Sequence, residues 1–159
     1  MGFEKLLNIE RALKEFKKNL PNVVVDIIKN DDGKYLDLNR EQMSKGENRT
    51  ETPIGRLKNP KYAQRKKDLG GDAPKGFSDL KSRPDRNSPR DYYANLKKTV
   101  NKRFVNVFTA DPDKEKVRSI EGKYGTQHFN LSKTNQAKYS ALVIKPELLK
   151  YLRSRLNAV

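Results

Sequence analysis

Phe3, Leu6, Leu7, Leu13, Phe16 and Leu20 recur at helical spacing, and Glu4, Lys5, Glu10, Arg11, Lys14, Lys17 and Lys18 fill the positions between them. This pattern predicts an amphipathic helix of about five turns. Pro21 is expected to stop or kink it, because proline disfavours the α conformation of the preceding residue. The β-branched run Val23 to Ile28 ends at the turn signal Asn30-Asp31-Asp32-Gly33. It fits a buried strand or a short helix folding back on the first, with helix preferred. Tyr35, Leu36 and Leu38 add a brief apolar segment before Asn39-Arg40-Glu41-Gln42 and the break at Gly46.

The periodicity then disappears. Pro53, Gly55, Pro60, Gly70, Gly71, Pro74, Gly76, Pro84 and Pro89 interrupt the chain every few residues, leaving room for one short helix around Lys61 to Lys67. Regular structure returns at Tyr92, Tyr93, Leu96 and Val100. Phe104-Val105-Asn106-Val107-Phe108 then reads as a strand, paired with the preceding run across Asn101-Lys102. Ala110-Asp111-Pro112-Asp113 signals a helix start with Asp111 as cap, so Lys114 to Tyr124 is expected as a helix closed by Gly125. Ser132 opens another helical segment. Pro146 begins a last helix, with Leu148, Leu149, Leu152 and Leu156 as its buried stripe and Lys150, Arg153 and Arg155 facing water. The expected fold is α+β, a single domain with helices at both termini around a small antiparallel β-hairpin. Its parts are a helical 1–39, a basic, loop-rich 40–91, and the strand pair and C-terminal helices in 92–159.

Charge changes this picture most in the middle. Residues 40–103 hold 18 Lys/Arg against 8 Asp/Glu, so +10 of the net +15 sits there, whereas 1–39 balances at 7 against 7 and 104–159 carries 10 against 5. Hydrophobic residues make up 34%, below the roughly 45 to 50% usual for globular chains. The expected core is therefore small, and part of the middle must find its burial against another chain or stay loop. Such a balance suits an anionic partner: phosphate first, then acidic protein, then an anionic membrane surface. The absence of cysteine excludes disulfides, thiolate metal sites and cysteine nucleophiles. No apolar run has the length of a signal peptide or membrane span, so synthesis in the cytoplasm, without membrane association, is expected.

No catalytic constellation competes with a binding role, and neither an enzyme activity nor a cofactor is expected. Arg56, Lys58, Lys61, Arg65, Lys66, Lys67, Arg83, Arg86 and Arg90 are the candidate contacts, with Tyr62, Tyr92 and Tyr93 as apolar anchors. These cations can neutralise phosphates and the tyrosines can stack on unpaired bases, or the same set can meet acidic neighbours in an assembly. Asp113, Glu115 and Lys116 contain the elements of a metal-dependent nuclease. Their crowding into one helix start is better explained by the helix dipole. His128, the lone histidine, cannot build a multi-imidazole metal site. Gly70-Gly71-Asp72-Ala73-Pro74-Lys75-Gly76 lacks the Gly-Lys-Ser/Thr ending of a phosphate-binding loop.

Three further stretches carry a resemblance. Tyr35-Leu36-Asp37-Leu38-Asn39-Arg40-Glu41-Gln42-Met43-Ser44-Lys45-Gly46 is similar to a DLNxxQLxxG stretch. Thr52-Pro53-Ile54-Gly55, with Lys61-Tyr62-Ala63 and Lys66-Lys67, resembles a second segment of the same family. Lys123-Tyr124-Gly125, Phe129-Asn130-Leu131-Ser132 and Lys145-Pro146-Glu147-Leu148-Leu149 resemble its close. The family is that of small structural virion proteins of tailed bacteriophages, crAss-like and related phages. Where it has DLxxTGxFxxS, this chain has Asp79-Leu80-Lys81-Ser82-Arg83-Pro84, so a role carried by that turn is not implied. The resemblance implies a neck, connector or tail component of the virion, made in the host cytoplasm and without catalytic residues. Its implied partners are copies of itself in a ring, the portal, neck or tail subunits, and the genome DNA. The alternative, from composition alone, is a non-specific nucleic-acid-binding protein of the host cytoplasm.

Overall fold

The computed structural model describes residues 2–52, 61, 92, 95–126 and 129–157. Among these residues, five α-helices and one hairpin follow in the order α1 (Gly2–Lys29), α2 (Lys34–Ser44), β1 (Leu96–Val100), β2 (Val105–Thr109), α3 (Lys114–Tyr124), α4 (Lys133–Tyr139) and α5 (Lys145–Leu156), with a π-helical turn, Ser140–Ile144, joining the last two. The α+β class and the terminal helices are as the sequence pattern predicts.

Pro21 does not stop the first helix. α1 runs through it for 28 residues, about 42 Å at the usual rise, and Val23 to Ile28 are helical as preferred, but as part of this same helix rather than a separate one folding back or a strand. An interior proline removes one backbone hydrogen bond and crowds the preceding turn, at a cost of about 3 kcal/mol. The offset comes from tertiary contact: the half-buried Val24, Val25 and Ile28 lie beside the hairpin, and most helical stability in proteins comes from such packing rather than from propensity.

α2 was read in the sequence only as a short apolar stretch. Asp31 organises its start: one carboxylate oxygen accepts from Lys34 N at 3.1 Å, and the other accepts from Tyr35 N at 2.9 Å and from Lys98 Nζ at 2.8 Å. Gly33, at φ 97°, makes the turn between Asp31 and the helix. The same carboxylate that caps α2 therefore ties it to β1.

The strands pair antiparallel with Leu96 opposite Thr109 and Val100 opposite Val105. Leu96, Val107 and Thr109 are buried on one face, while Lys97, Asn106 and Phe108 are exposed on the other. β2 leads into α3, whose N-cap is Asp113, not Asp111: the Asp113 side chain accepts from Lys116 N at 3.0 Å. Asp111 is instead fully buried and receives Lys116 Nζ at 2.9 Å. Ser132 caps α4 as expected.

The core gathers Tyr35, Leu38 and Met43 from α2 with Tyr92, Leu96, Val107, Ile120, Phe129, Leu131 and Tyr139. A polar clamp runs through it. Asn39 and Gln42 are both fully buried and donate to Asn130 O, while Gln42 Oε1 accepts from Ser132 N and Asn135 Nδ2. Asn135 also donates to Leu38 O. Asn130 adopts φ 70°, a conformation that asparagine tolerates better than most residues, and this turns its carbonyl to the two amides.

Tyr35 and Tyr139 meet edge-to-face at 5.2 Å. Burial raises both phenols above the ordinary tyrosine value of 10, and for Tyr139 the negative charge of Asp31 adds to the effect. The folded chain therefore holds these protons more tightly than the unfolded one. The contribution of these two groups to stability should be constant below pH about 10 and fall as pH rises through the raised values. The Tyr139 hydroxyl is buried with no hydrogen-bond partner among the described residues. Tyr139→Phe should thus leave the neutral-pH urea midpoint unchanged or higher and blunt its alkaline fall. A lower midpoint at neutral pH would show that the hydroxyl is bonded.

Candidate interaction surface

α1, the longest of the described helices, has no fully buried residue from Phe3 to Lys29. Ile9, Ala12, Phe16 and Leu20 of α1 are half-buried, and Phe16 meets Tyr151 of α5 at 6.0 Å between ring centres. Next to that covered row stand Phe3, Leu6, Leu7 and Leu13, which are 76%, 64%, 46% and 45% exposed. The apolar arc of α1 is wider than the surface α5 offers it.

α5 shows the same excess. Leu148, Leu152 and Leu156, four residues apart, are half-buried against the fold, but Leu149 lies one position off that row and is 53% exposed. The expected stripe is therefore three leucines wide, with the fourth facing water. Leu142, in the π turn, is also exposed. Scattered apolar side chains on a surface are ordinary, whereas several grouped by helical spacing on one side of a helix, as Phe3, Leu6, Leu7 and Leu13 are, mark an interaction site.

The hairpin turn carries a second feature. Asn101 N donates to Phe104 O at 3.1 Å, and Asn101 Oδ1 accepts from Arg103 N and Phe104 N. This closed turn holds Lys102, Arg103 and Phe104 at the tip, all exposed.

Of the contact residues expected from the sequence, Lys61 and Tyr92 fall among the described residues. Lys61 is exposed. Tyr92 is not a surface anchor: it is 1% exposed, stacks on Phe129 with ring centres 6.1 Å apart, and its carbonyl accepts from Thr109 Oγ1. It sits just before β1, and the inner face of the hairpin draws it into the core. Arg56, Lys58, Tyr62, Arg65, Lys66, Lys67, Arg83, Arg86, Arg90 and Tyr93 lie outside the described residues, as do His128, the Gly70 to Gly76 stretch and the short helix expected around Lys61 to Lys67 beyond Lys61 itself.

The acidic cluster at α3 is occupied structurally, since Asp113 caps the helix and Lys116 pairs with Asp111. Among the described residues no three His, Asp or Glu side chains are grouped to hold a metal ion, and no helix is long and apolar enough to cross a membrane. What sequence reasoning missed is the exposed apolar set on α1 and α5. The signal was present as more apolar positions around α1 than one covered stripe requires. No family model, curated protein or solved structure matches the chain.

Proposed function

We propose that this chain is a structural subunit of a larger assembly, joined to further copies of itself through α1 and α5. In line with the resemblance of its sequence, the assembly is the head-to-tail region of a tailed bacteriophage particle: neck, connector or tail, with portal, neck or tail subunits as its other neighbours. The observation that carries this reading is a 28-residue helix with no fully buried residue from Phe3 to Lys29 and with four large apolar side chains in water. Residues 3–18 of α1 hold five cations and three carboxylates among those apolar positions, a mixed surface that a second copy can complement. Fully burying each leucine or phenylalanine contributes about 1.5 to 3 kcal/mol, so a few of them suffice for association.

The mass in solution at about 0.15 and about 1 M salt tests this, because the higher salt screens charge contacts and leaves apolar ones. An oligomer that persists at high salt and falls to monomer on Leu6→Glu with Leu13→Glu is the expected result. Both side chains are exposed, so the double variant should stay folded. A chain that remains monomeric at every concentration overturns the reading.

Non-specific nucleic-acid binding is the second reading, favoured by Lys102, Arg103 and Phe104 on the hairpin tip. It predicts duplex or single-stranded DNA binding that weakens steeply with salt and is reduced by Phe104→Ala.

A further inference from the structure

A groove of about 870 Å³ lies open between the second half of α1, the hairpin turn and residues 130–136. Its α1 wall is aliphatic. Leu20, Val24, Val25 and Ile28 follow one another at helical spacing, each half-buried, so folding leaves part of this surface in water. Four cations line the same groove: Arg49, Lys102, Arg103 and Lys133, all exposed. No carboxylate is among the described residues that line it. Glu51, whose charge interacts with Lys133, is turned onto the Thr134 amide at 2.9 Å and stands outside the lining.

We propose that this groove receives an acidic segment of a partner protein, its bulky apolar side chains on the aliphatic wall of α1 and its carboxylates among Arg49, Lys133 and the hairpin tip. The proposal rests on the assembly reading and states what a neighbouring subunit must bring. Charge complementarity selects this occupant. A second copy is disfavoured in this groove because, unlike the first half of α1 with its three carboxylates, the described groove lining holds cations and no carboxylate while the whole chain carries +15, so like charges would meet at the rim. Nucleic acid supplies the anions, and Phe104 at the rim offers it one exposed ring, but bases bind by stacking on aromatic faces and by hydrogen bonds to their edges, and the α1 wall, Leu20, Val24, Val25 and Ile28, is branched aliphatic.

The hairpin turn gives the groove a fixed edge. The bonds from Arg103 N and Phe104 N to Asn101 Oδ1, with the Asn101 N to Phe104 O closure, set the backbone that carries two of the four cations. On the opposite side the buried Gln42 clamp holds Asn130 and Ser132, and with them the segment bearing Lys133. Both edges are thereby ordered before any partner arrives, which lowers the entropic cost of binding.

The test uses the full chain and a fluorescein-labelled synthetic peptide with glutamate and leucine alternating in helical register. Controls are the same peptide with serine for every leucine, a single-stranded DNA oligonucleotide and phosphatidylglycerol vesicles. The Glu/Leu peptide should bind, the serine peptide should bind far more weakly, and Arg103→Glu with Lys133→Glu should weaken the Glu/Leu peptide by about tenfold or more. Val24→Ser should weaken it without changing the response to salt. Equal binding of the serine peptide overturns the proposal, because charge alone would then explain the contact. So does an oligonucleotide or vesicle that binds more tightly than the peptide and is the ligand lost in the charge-reversed variant. The oligomer mass of the parent chain separates the two readings. A parent oligomer that binds no Glu/Leu peptide sinks the groove and leaves the assembly; peptide binding by a parent chain that stays strictly monomeric does the reverse.

Discussion

Asp31→Ala should remove a large share of the protein's stability, about 4 to 6 kcal/mol against the roughly 5 to 15 kcal/mol that folded domains usually have. The carboxylate has three tasks at once. It accepts from Lys34 N and Tyr35 N at the start of α2 and pairs with Lys98, in a site where the aspartate side chain is 3% and the lysine side chain 11% exposed. Losing a cap costs about 1 kcal/mol. Stripping the partner from a buried lysine costs about 3 to 5 kcal/mol, because the charge remains where water cannot reach it fully. Urea denaturation followed by circular dichroism should therefore show a much lower midpoint. Asp31→Ala combined with Lys98→Met should recover part of it, since no charge is then left unpaired. If the single variant were as stable as the parent, Lys98 would have an alternative route to solvent and the pair would be incidental.

Tyr92→Ala is expected to cost about 3 to 5 kcal/mol, the range for deleting a buried aromatic ring. The ring is 1% exposed and lies nearly parallel to Phe129 at 10°, so its removal leaves a void between the hairpin and the residues that lead into α4. A thermal melt reads this directly. For a chain of this size each kcal/mol moves the melting temperature by about 2 to 4 °C, which predicts a drop of roughly 6 to 20 °C. A residue that served as an exposed anchor for a partner would instead leave the melt unchanged and alter only binding. The experiment therefore distinguishes the core position seen in the structure from the surface role its tyrosine-rich, basic surroundings suggested.

That misplacement shows where the sequence was informative. The hairpin was legible because Phe104 to Phe108 alternates in β-branched and aromatic residues and Asn101 marks the turn. Ser132 was legible as a cap because a small hydroxyl there meets an unpaired helix N–H. α2 escaped for a chemical reason. Its inward positions are Tyr35, Leu38, Asn39, Gln42 and Met43, a helical i, i+3, i+4, i+7, i+8 stripe in which two of the five are amides. A pattern search for apolar residues sees the stripe break off at Leu38. Only the partner carbonyl of Asn130 and the amide of Ser132, far along the chain, make those amides core residues. The same holds at α3, where Asp111 and Asp113 sit two apart and either could cap; the burial of Asp111 against Lys116 decides it. For the interaction surface the position is reversed. The apolar residues of α1 were visible, but which of them α5 would leave uncovered depends on how the two helices meet.

The Gln42 clamp joins residues 88 to 97 positions apart, and that separation sets a schedule for the growing chain. At about 5 to 20 residues per second of synthesis, α2 waits roughly 5 to 20 s after its own emergence before residues 130–135 exist to receive it. During that interval leucines at positions 39 and 42 would present a sticky helix to every neighbouring nascent chain. Asparagine and glutamine are satisfied by water until the carbonyl of Asn130 replaces it. The amides that hid this helix from sequence reading are thus the residues that keep it soluble while its other half is still being made.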